Sequence, residues 1–257
     1  METNLNCDLG ETSIHHSAEN DPELMKLINT ANIACGFHAG DELTMEKTVG
    51  LAIKNNVSIG AHPGFADKEN FGRKRVNLTK DEIKKLILDQ IQILSEISES
   101  RGLSLTHVKP HGALNNMACE DYELSFTIGQ TIKEFNRELI FMVLPETEME
   151  KAGKDLDLKI ACEIFADRNY EDNGRLVSRD QTHALKSDVI EATQNIINML
   201  NDKAILCYSG KRIPCQIDSI CVHGDGKNAV EIVRNIKINL EKAGLILSPL
   251  NKLEKFN

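Results

Sequence analysis

Six side chains capable of acid–base or ligand chemistry, Asp8, His38, His62, Lys109, His111 and His223, fall at or just beyond the ends of short apolar runs. Each run passes into a polar turn bearing glycine, among them Asp8-Leu9-Gly10-Glu11, Gly36-Phe37-His38-Ala39-Gly40-Asp41, His62-Pro63-Gly64, Lys109-Pro110-His111-Gly112 and His223-Gly224-Asp225-Gly226. Glycine lets backbone approach a ligand closely, and Pro63 and Pro110 stop the runs from continuing. Asp8, Glu11 and Asp41 are candidate acids or bases for activating water. Lys109 and Arg168, which follows Ala166-Asp167, are candidate clamps for a carboxylate or phosphoryl group.

Several signals carry two readings. Asp8, His38 and His62 lie on different runs, so they can converge on a metal ion; a metal-free hydrogen-bonded cluster accounts for the same residues. His107-x-x-x-His111 has the spacing of a metal pair on a helix, but Pro110 interrupts it and the pair need not converge. Gly224-x-Gly226-x-x-Ala229 resembles a dinucleotide fingerprint. The chain ends about 30 residues later, too soon for the second half of such a fold, which leaves only a glycine turn suited to a phosphate group. There is no Walker A pattern and no G-x-S-x-G elbow. Cys35 reads as a core residue by parity.

These residues need elements to position them. Seven β-like runs, 4–8, 32–38, 57–62, 105–109, 140–144, 160–167 and 219–223, alternate with amphipathic helical stretches. Side chains alternate along a strand, which puts Asn4, Asn6 and Asp8 on one face against Leu5 and Cys7. The same parity aligns Asn32 with His38, Ser58 with His62, His107 with Lys109, Glu163 with Asp167, and Cys221 with His223. One polar inward residue is ordinarily a satisfied core group. Six strands turning polar towards their ends are harder to explain by packing, because buried polar groups cost free energy unless paired.

The helices have their own signals. Met45, Val49, Ala52 and Ile53 share a face. Thr79-x-x-Glu82 is a capping box ahead of a stripe formed by Ile83, Leu86, Ile87, Ile91 and Leu94. Ser187 is the expected cap of a helix carrying Val189, Ile190, Ile196, Ile197 and Leu200. Gly244 follows the last helix as its C′ residue. Ser209-Gly210-Lys211 reads as a hairpin turn inserted before the final strand. Such alternation predicts parallel strands joined by helical crossovers, closed into a barrel or open and doubly wound.

The chain has 257 residues and is 41% hydrophobic with no Trp, which predicts a single domain spanning 1–257 with an aliphatic core. Net charge is -9 without a basic block, which argues against a nucleic-acid or anionic-membrane surface. A local cationic pocket remains compatible with that charge. The start of the chain lacks the features of a signal peptide, and no apolar run approaches the ~18 residues of a membrane span. A cytoplasmic protein with reduced, mostly buried thiols is expected from the odd count of seven Cys without C-x-x-C.

Taken in order, Leu5-Asn6-Cys7-Asp8-Leu9-Gly10-Glu11, the stretch from Ala31 to Asp41, Ile59-Gly60-Ala61-His62-Pro63, Phe71-Gly72-Arg73, His107-Val108-Lys109-Pro110-His111-Gly112-Ala113-Leu114, Phe165-Ala166-Asp167-Arg168 and Cys221-Val222-His223-Gly224-Asp225 resemble the LamB/YcsF family over almost the whole chain. The sequence departs from the family's usual pattern at Glu42, Lys74, Asn115 and Gly226-Lys227. The resemblance implies a seven-stranded parallel β/α barrel, TIM-like and related to polysaccharide deacetylases. It also implies ATP-dependent opening of 5-oxoproline to L-glutamate together with two other subunits, B and C. ATP, with Mg2+, would bind this chain or its partners. On that reading Asp8, Glu11, His38, His62, Lys109 and His111 are the catalytic candidates. Asn6, Asn32, Asp41, Arg73, Asp167, Arg168, His223 and Asp225 are the candidates for substrate or phosphate contact. Rival readings are a metal-dependent C–N hydrolase acting without ATP and a non-catalytic substrate-binding component.

Overall fold

The computed structural model describes residues 2–14, 16–186, 188–222 and 229–257. Strands β1 (Glu2–Leu9), β2 (Thr30–Ala34), β3 (Ser58–His62), β4 (His107–Val108), β5 (Ile140–Val143) and β6 (Ile160–Phe165) pair in sequence order, all parallel. A short antiparallel hairpin of β7 (Ala204–Leu206) and β8 (Arg212–Pro214) follows, turning at Gly210 with φ +91°. Strand β9 (Ser219–Cys221) then inserts between β6 and β1, pairing Glu163 with Ser219 on one side and Asn6 with Cys221 on the other. That double pairing closes a seven-stranded barrel and excludes the open sheet. Strand β10 (Ile246–Leu247) extends β1 at its amino end.

Helices α1 (Asp21–Leu24), α2 (Glu42–Asn55), α3 (Lys80–Glu99), α4 (Gly112–Ala118), α5 (Tyr122–Phe135), α6 (Glu148–Asp155), α7 (Val189–Asp202) and α8 (Ala229–Lys242) lie between the strands. The α3 capping box forms as expected, and its whole apolar stripe is buried. Two details differ from the sequence reading. The cap of α7 is Asp188, whose carboxylate accepts from the amides of Ile190 and Glu191, so the helix starts one residue later than a Ser187 cap implies; Ser187 lies outside the described residues. Ile53 and Ile190 point outward, because Thr48 on α2 and Thr193 on α7 take buried positions through hydrogen bonds to their own helices. Gly244 follows α8 with φ +82°. The aliphatic core lies between the strands' outer faces and the helices, and includes Leu5, Cys7, Ile33, Ile59, Ile164 and Ile220.

The barrel interior is polar from its amino end upward. In the lowest layer Asn4 donates to Thr30 Oγ1 (2.8 Å) and accepts from Ser219 Oγ (2.7 Å), while Thr30 and Ser58 share a hydroxyl hydrogen bond of 2.6 Å. Above it Asn6 donates to Glu163 and Ser219, each at 2.8 Å, and accepts from Asn32 (2.7 Å). Asn32 also donates to Asp8 Oδ1 (2.7 Å) and accepts from His107 Nε2 (2.7 Å). A side chain at Gly60 would fall 2.4 Å from the His107 ring, so the imidazole occupies the space this glycine leaves. These amides and hydroxyls satisfy one another, which removes the penalty of burying them. Among the described residues no helix is long and apolar enough to cross a membrane. All seven cysteines are unpaired, and all but Cys215 are buried.

Candidate active site

The network rises to the carboxyl ends of the strands, where its charged members collect. Asp8 lies near the end of β1, and Lys109 follows β4 directly, its amide held by Ala61 O. The Lys109 ammonium lies 2.9 Å from Asp8 Oδ1, 3.1 Å from Glu163 Oε2 and 3.2 Å from Cys221 Sγ. Burial alone would lower its pKa, but the Asp8 carboxylate, with Cys221 and Glu163, outweighs burial and holds it well above the usual lysine range. Lys109 therefore stays charged, as expected. Its donors face internal acceptors, however, so it is the counter-ion of Asp8 and Glu163 and not a free clamp for substrate.

Beside this pair stands a second cluster. Gly10, with φ +72°, turns the chain after β1, and Asp21 accepts its amide at 2.8 Å, which directs Glu11 back over the barrel. Glu11 Oε1 lies 3.1 Å from His38 Nε2, 3.1 Å from His111 Nδ1 and 3.6 Å from His62 Nε2. His62 Nε2 is also 3.4 Å from Asp8 Oδ2 and 3.0 Å from His111 Nδ1. On their far sides His62 Nδ1 meets Lys109 O (2.7 Å) and His111 Nε2 meets Phe71 O (2.9 Å). His38 stacks on His111 with ring centroids 3.8 Å apart, and its Nδ1 is buried without a partner. Burial, with His111 beside it, pushes His38 down to about 3 against the pull of Glu11. His62 goes the other way: burial would lower it, but the Asp8 and Glu11 carboxylates raise it.

Above the floor opens a cleft of about 450 Å³, within the range of small-molecule sites. Asp8, His62, Lys109 and His111 line its base, and Phe165, Leu144 and Leu176 supply apolar wall. Five arginines, Arg73, Arg75, Arg168, Arg175 and Arg179, also line it. The last three arrive on the excursion between β6 and α7, which is anchored where the Tyr170 hydroxyl accepts the Phe165 amide (2.7 Å) and where Tyr208 N bonds Tyr170 O (2.8 Å). The β7–β8 hairpin thus braces the excursion. A chain of net charge -9 nevertheless presents a cationic cleft suited to a small anion.

The expected site residues divide into groups. Asp8, His62, Lys109, His111, Arg73 and Arg168 line the cleft. Arg168 is partly engaged, since Nη2 donates to Val177 O (2.6 Å) and Nε to Ala184 O (3.4 Å), holding the excursion in shape. Glu11 and His38 join the cluster beside the floor, and Asn6 and Asn32 sit beneath it with their amides engaged. His107 stays in the layer below and does not converge with His111. Asp41 does not reach the cleft: it caps α2, accepting from Thr44 N (2.8 Å) and Thr44 Oγ1 (2.7 Å). Asp167 is half-buried after β6, with its carbonyl accepting Lys186 N (2.9 Å), and is not among the residues that line the cleft. His223, Asp225 and the glycine turn around them lie outside the described residues. The sequence reading assigned no role to Glu163, although parity placed it inward. Arg75, Arg175 and Arg179 also line the cleft without having been singled out in the sequence, where their signal is the density of arginine just after Phe71-Gly72 and after Phe165.

Three comparisons bear on this arrangement. A sequence profile described as the LamB/YcsF family matches residues 3–255. A Clostridium beijerinckii protein named as the A subunit of 5-oxoprolinase is 45% identical over 249 residues, covering 97% of this chain and 98% of that one. A crystal structure described as a lactam utilization protein from Thermus thermophilus superposes with a TM-score of 0.89 at 35% identity, covering 96% of this chain and 99% of the other. A family 4 carbohydrate esterase from Streptomyces lividans shares the fold alone, with a TM-score of 0.51 at 10% identity over 96% of this chain and 91% of that one.

Proposed function

Because the chain belongs to the LamB/YcsF family, we propose that it is the A component of a 5-oxoprolinase, opening the lactam of 5-oxo-L-proline to L-glutamate with partner subunits B and C. The observation that carries this reading is the meeting of an ion-paired carboxylate, Asp8, with an arginine-lined cleft sized for a small anion. The substrate bears one carboxylate, and the cleft's guanidinium groups are planar donors suited to it; Arg75 and Arg175 already meet Glu120 at 2.8 and 3.7 Å, so the substrate would share them with that carboxylate.

An unstrained five-membered amide resists hydrolysis, so coupling to ATP is chemically reasonable. Phosphorylation of the lactam oxygen makes the ring carbon electrophilic, and the same guanidinium groups suit phosphoryl oxygens. We assign ATP and its Mg2+ to the partner subunits, since this sequence has no Walker A pattern. Asp8 Oδ1 is fixed by Lys109 and Asn32, while Oδ2 lies 3.4 Å from His62 Nε2 at the base of the cleft. There it takes a proton as water adds to the ring carbon and returns it to the ring nitrogen as the C–N bond breaks, leaving a γ-acyl phosphate whose hydrolysis by a second water releases L-glutamate and inorganic phosphate. The cationic wall stabilises the charge that develops on the phosphorylated oxygen, an electrostatic contribution already in place before reaction. Unpaired, mostly buried cysteines suit the reducing cytoplasm in which this reading places the protein.

The test is glutamate release from 5-oxoproline, assayed with this chain alone and with its partners, with and without ATP. Release only from the complete set with ATP is expected. In that assay Arg179→Ala should raise KM about tenfold with kcat little changed, the signature of a lost ground-state contact. ATP-independent release by the chain alone would instead identify a hydrolase acting on C–N bonds directly.

A further inference from the structure

The tautomers of two histidines are fixed by their surroundings. A carbonyl oxygen only accepts, so the nitrogens facing Lys109 O and Phe71 O, His62 Nδ1 and His111 Nε2, carry the protons. In neutral rings the remaining nitrogens, His62 Nε2 and His111 Nδ1, present lone pairs to each other across 3.0 Å. A positive species must then bridge them, either a proton, which the raised affinity of His62 favours, or a metal ion that replaces it. The Glu11 carboxylate completes the same small space, and His38 Nε2 borders it. The four donor atoms all lie within 4.8 Å of one another.

From this geometry we infer that Glu11, His38, His62 and His111 form a binding site for one divalent transition-metal ion of the zinc class. A four-coordinate ion bound at about 2.0–2.1 Å holds its ligand atoms roughly 3.3 Å apart. Four of the six separations bracket that value, at 3.0, 3.1, 3.1 and 3.6 Å, and the two from His38 to the other histidines are within 4.8 Å. Three imidazoles and one carboxylate suit zinc, and also cobalt or iron, far better than Mg2+ or Ca2+, which take oxygen ligands. The protonated far sides of His62 and His111, each on a backbone carbonyl, are the outer-shell contacts that orient metal-bound histidines. Gly64 and Gly72 clamp the rings, since a side chain at either would fall 2.8 Å from an atom of His38. The floor also holds three carboxylates, Asp8, Glu11 and Glu163, against the single ammonium of Lys109, an excess that a dication balances.

This assignment differs from the sequence expectation of Asp8, His38 and His62. Asp8 directs one oxygen to Lys109 and Asn32, and Glu11 takes the ligand position because the Gly10 turn swings it over the histidines. His62 then becomes a ligand, and proton transfer stays with Asp8. The site does not depend on the identity of the substrate.

The test is direct metal binding to the purified full-length chain after chelator treatment, followed by titration with Zn2+ and measurement of bound metal and heat. One Zn2+ per chain is expected, with Mg2+ not bound. Co2+ in its place should give the visible absorption of a nitrogen-rich tetrahedral site. His38→Ala, His62→Ala and His111→Ala should each weaken Zn2+ binding by about a hundredfold or more. Glu11→Gln, which keeps the shape and removes the charge, should weaken it as well, while His183→Ala, half-buried against Tyr208 and outside the cluster, should not. Nitrogen NMR of the wild-type histidine rings gives an answer independent of how the variants fold: Zn2+ should shift His62 Nε2 and His111 Nδ1 and leave the opposite nitrogens protonated. Failure to bind Zn2+, or binding that persists unchanged in the histidine variants, overturns the assignment.

Discussion

The two ends of the barrel interior are both polar, yet they are built on different terms. At the amino end Asn4, Thr30, Ser58 and Ser219 are neutral, and their hydrogen bonds run from one side chain to the next. At the carboxyl end the polar groups are charged or titratable: Asp8, Glu163 and Lys109 in one set, Glu11 and three histidines in the other. That end also holds an unpartnered buried nitrogen on His38 and two imidazole nitrogens facing each other at 3.0 Å. The difference teaches that a polar barrel interior is not in itself a sign of chemistry. Groups that satisfy one another hold strands together. Groups left with unsatisfied valence or uncompensated charge are poised for something from outside the chain.

The largest effect that can break this contrast belongs to Asp8→Asn. The change keeps the side-chain volume and removes the charge, so ring opening by the reconstituted complex should fall by about a thousandfold or more, roughly 4 kcal/mol of barrier. Urea unfolding should shift as well, by less than for loss of Lys109, because Glu163 remains as the ammonium's counter-ion. Turnover near the wild-type rate would remove Asp8 from the chemistry and favour a chain that only binds substrate.

Lys109→Met should come next, and its effect should appear in stability. It leaves Asp8 and Glu163 buried without their ammonium. Removing one partner of such a group costs about 3–5 kcal/mol, because the remaining charges stay buried. Urea unfolding measures this directly. Part of the loss should return at lower pH, as the abandoned carboxylates take up protons. A variant as stable as the wild type would mean that the Lys109 pairing does not offset the burial of its partners.

His107 marks the boundary between the two ends and carries a pH signature. Burial, followed by the nearby Lys109 charge, pushes it down to about 3, against an ordinary value of 6.5. As pH falls below 6.5 the unfolded chain takes up this proton while the folded chain does not. Stability from this residue is therefore fully present above that pH and is lost towards 3, at about 1 kcal/mol per pH unit. The measurement is the difference in slope of unfolding free energy against pH, from 7 to 5, between the wild type and His107→Asn. Equal slopes would place the His107 proton on the folded protein too.

Much of this contrast was legible in the sequence where strand parity applies. Asn4, Asn6, Asp8, Ser58, His62, His107, Lys109 and Glu163 all face inward as alternation requires. Legibility ended where the backbone leaves the strands. Between Asp8 and Glu11 the left-handed turn at Gly10 cancels parity, so the sequence did not show which carboxylate meets the histidines. His38 reached its place by the turn through Gly36 and Gly40, both with positive φ, and not by alternation, since β2 ends at Ala34. Asp41 was read as a substrate contact although Asp41-x-x-Thr44 before an amphipathic stretch is a capping signal. Arg175 and Arg179 ride on an irregular excursion whose shape depends on Tyr170, Arg168 and a hairpin some thirty residues away in sequence, so no local period pointed to them.

The smallest effect sharpens the contrast from the opposite end. Ser219→Ala removes a hydroxyl that donates to Asn4 Oδ1 and accepts from Asn6 Nδ2, leaving one buried acceptor and one buried donor short of a partner. Losing such bonds costs about 1–3 kcal/mol. The expected loss lies towards the lower figure, because Asn4 keeps its bonds to Thr30 and Ser248 and Asn6 keeps Glu163 and Asn32. If the amino end serves only cohesion, the whole effect should appear in the urea midpoint, with kcat and KM for 5-oxoproline unchanged in the assembled complex. A fall in kcat larger than the stability loss would show that the lower layer also sets the position of Asp8, through Asn6 and Asn32. The two ends would then act as one network and not as scaffold and site.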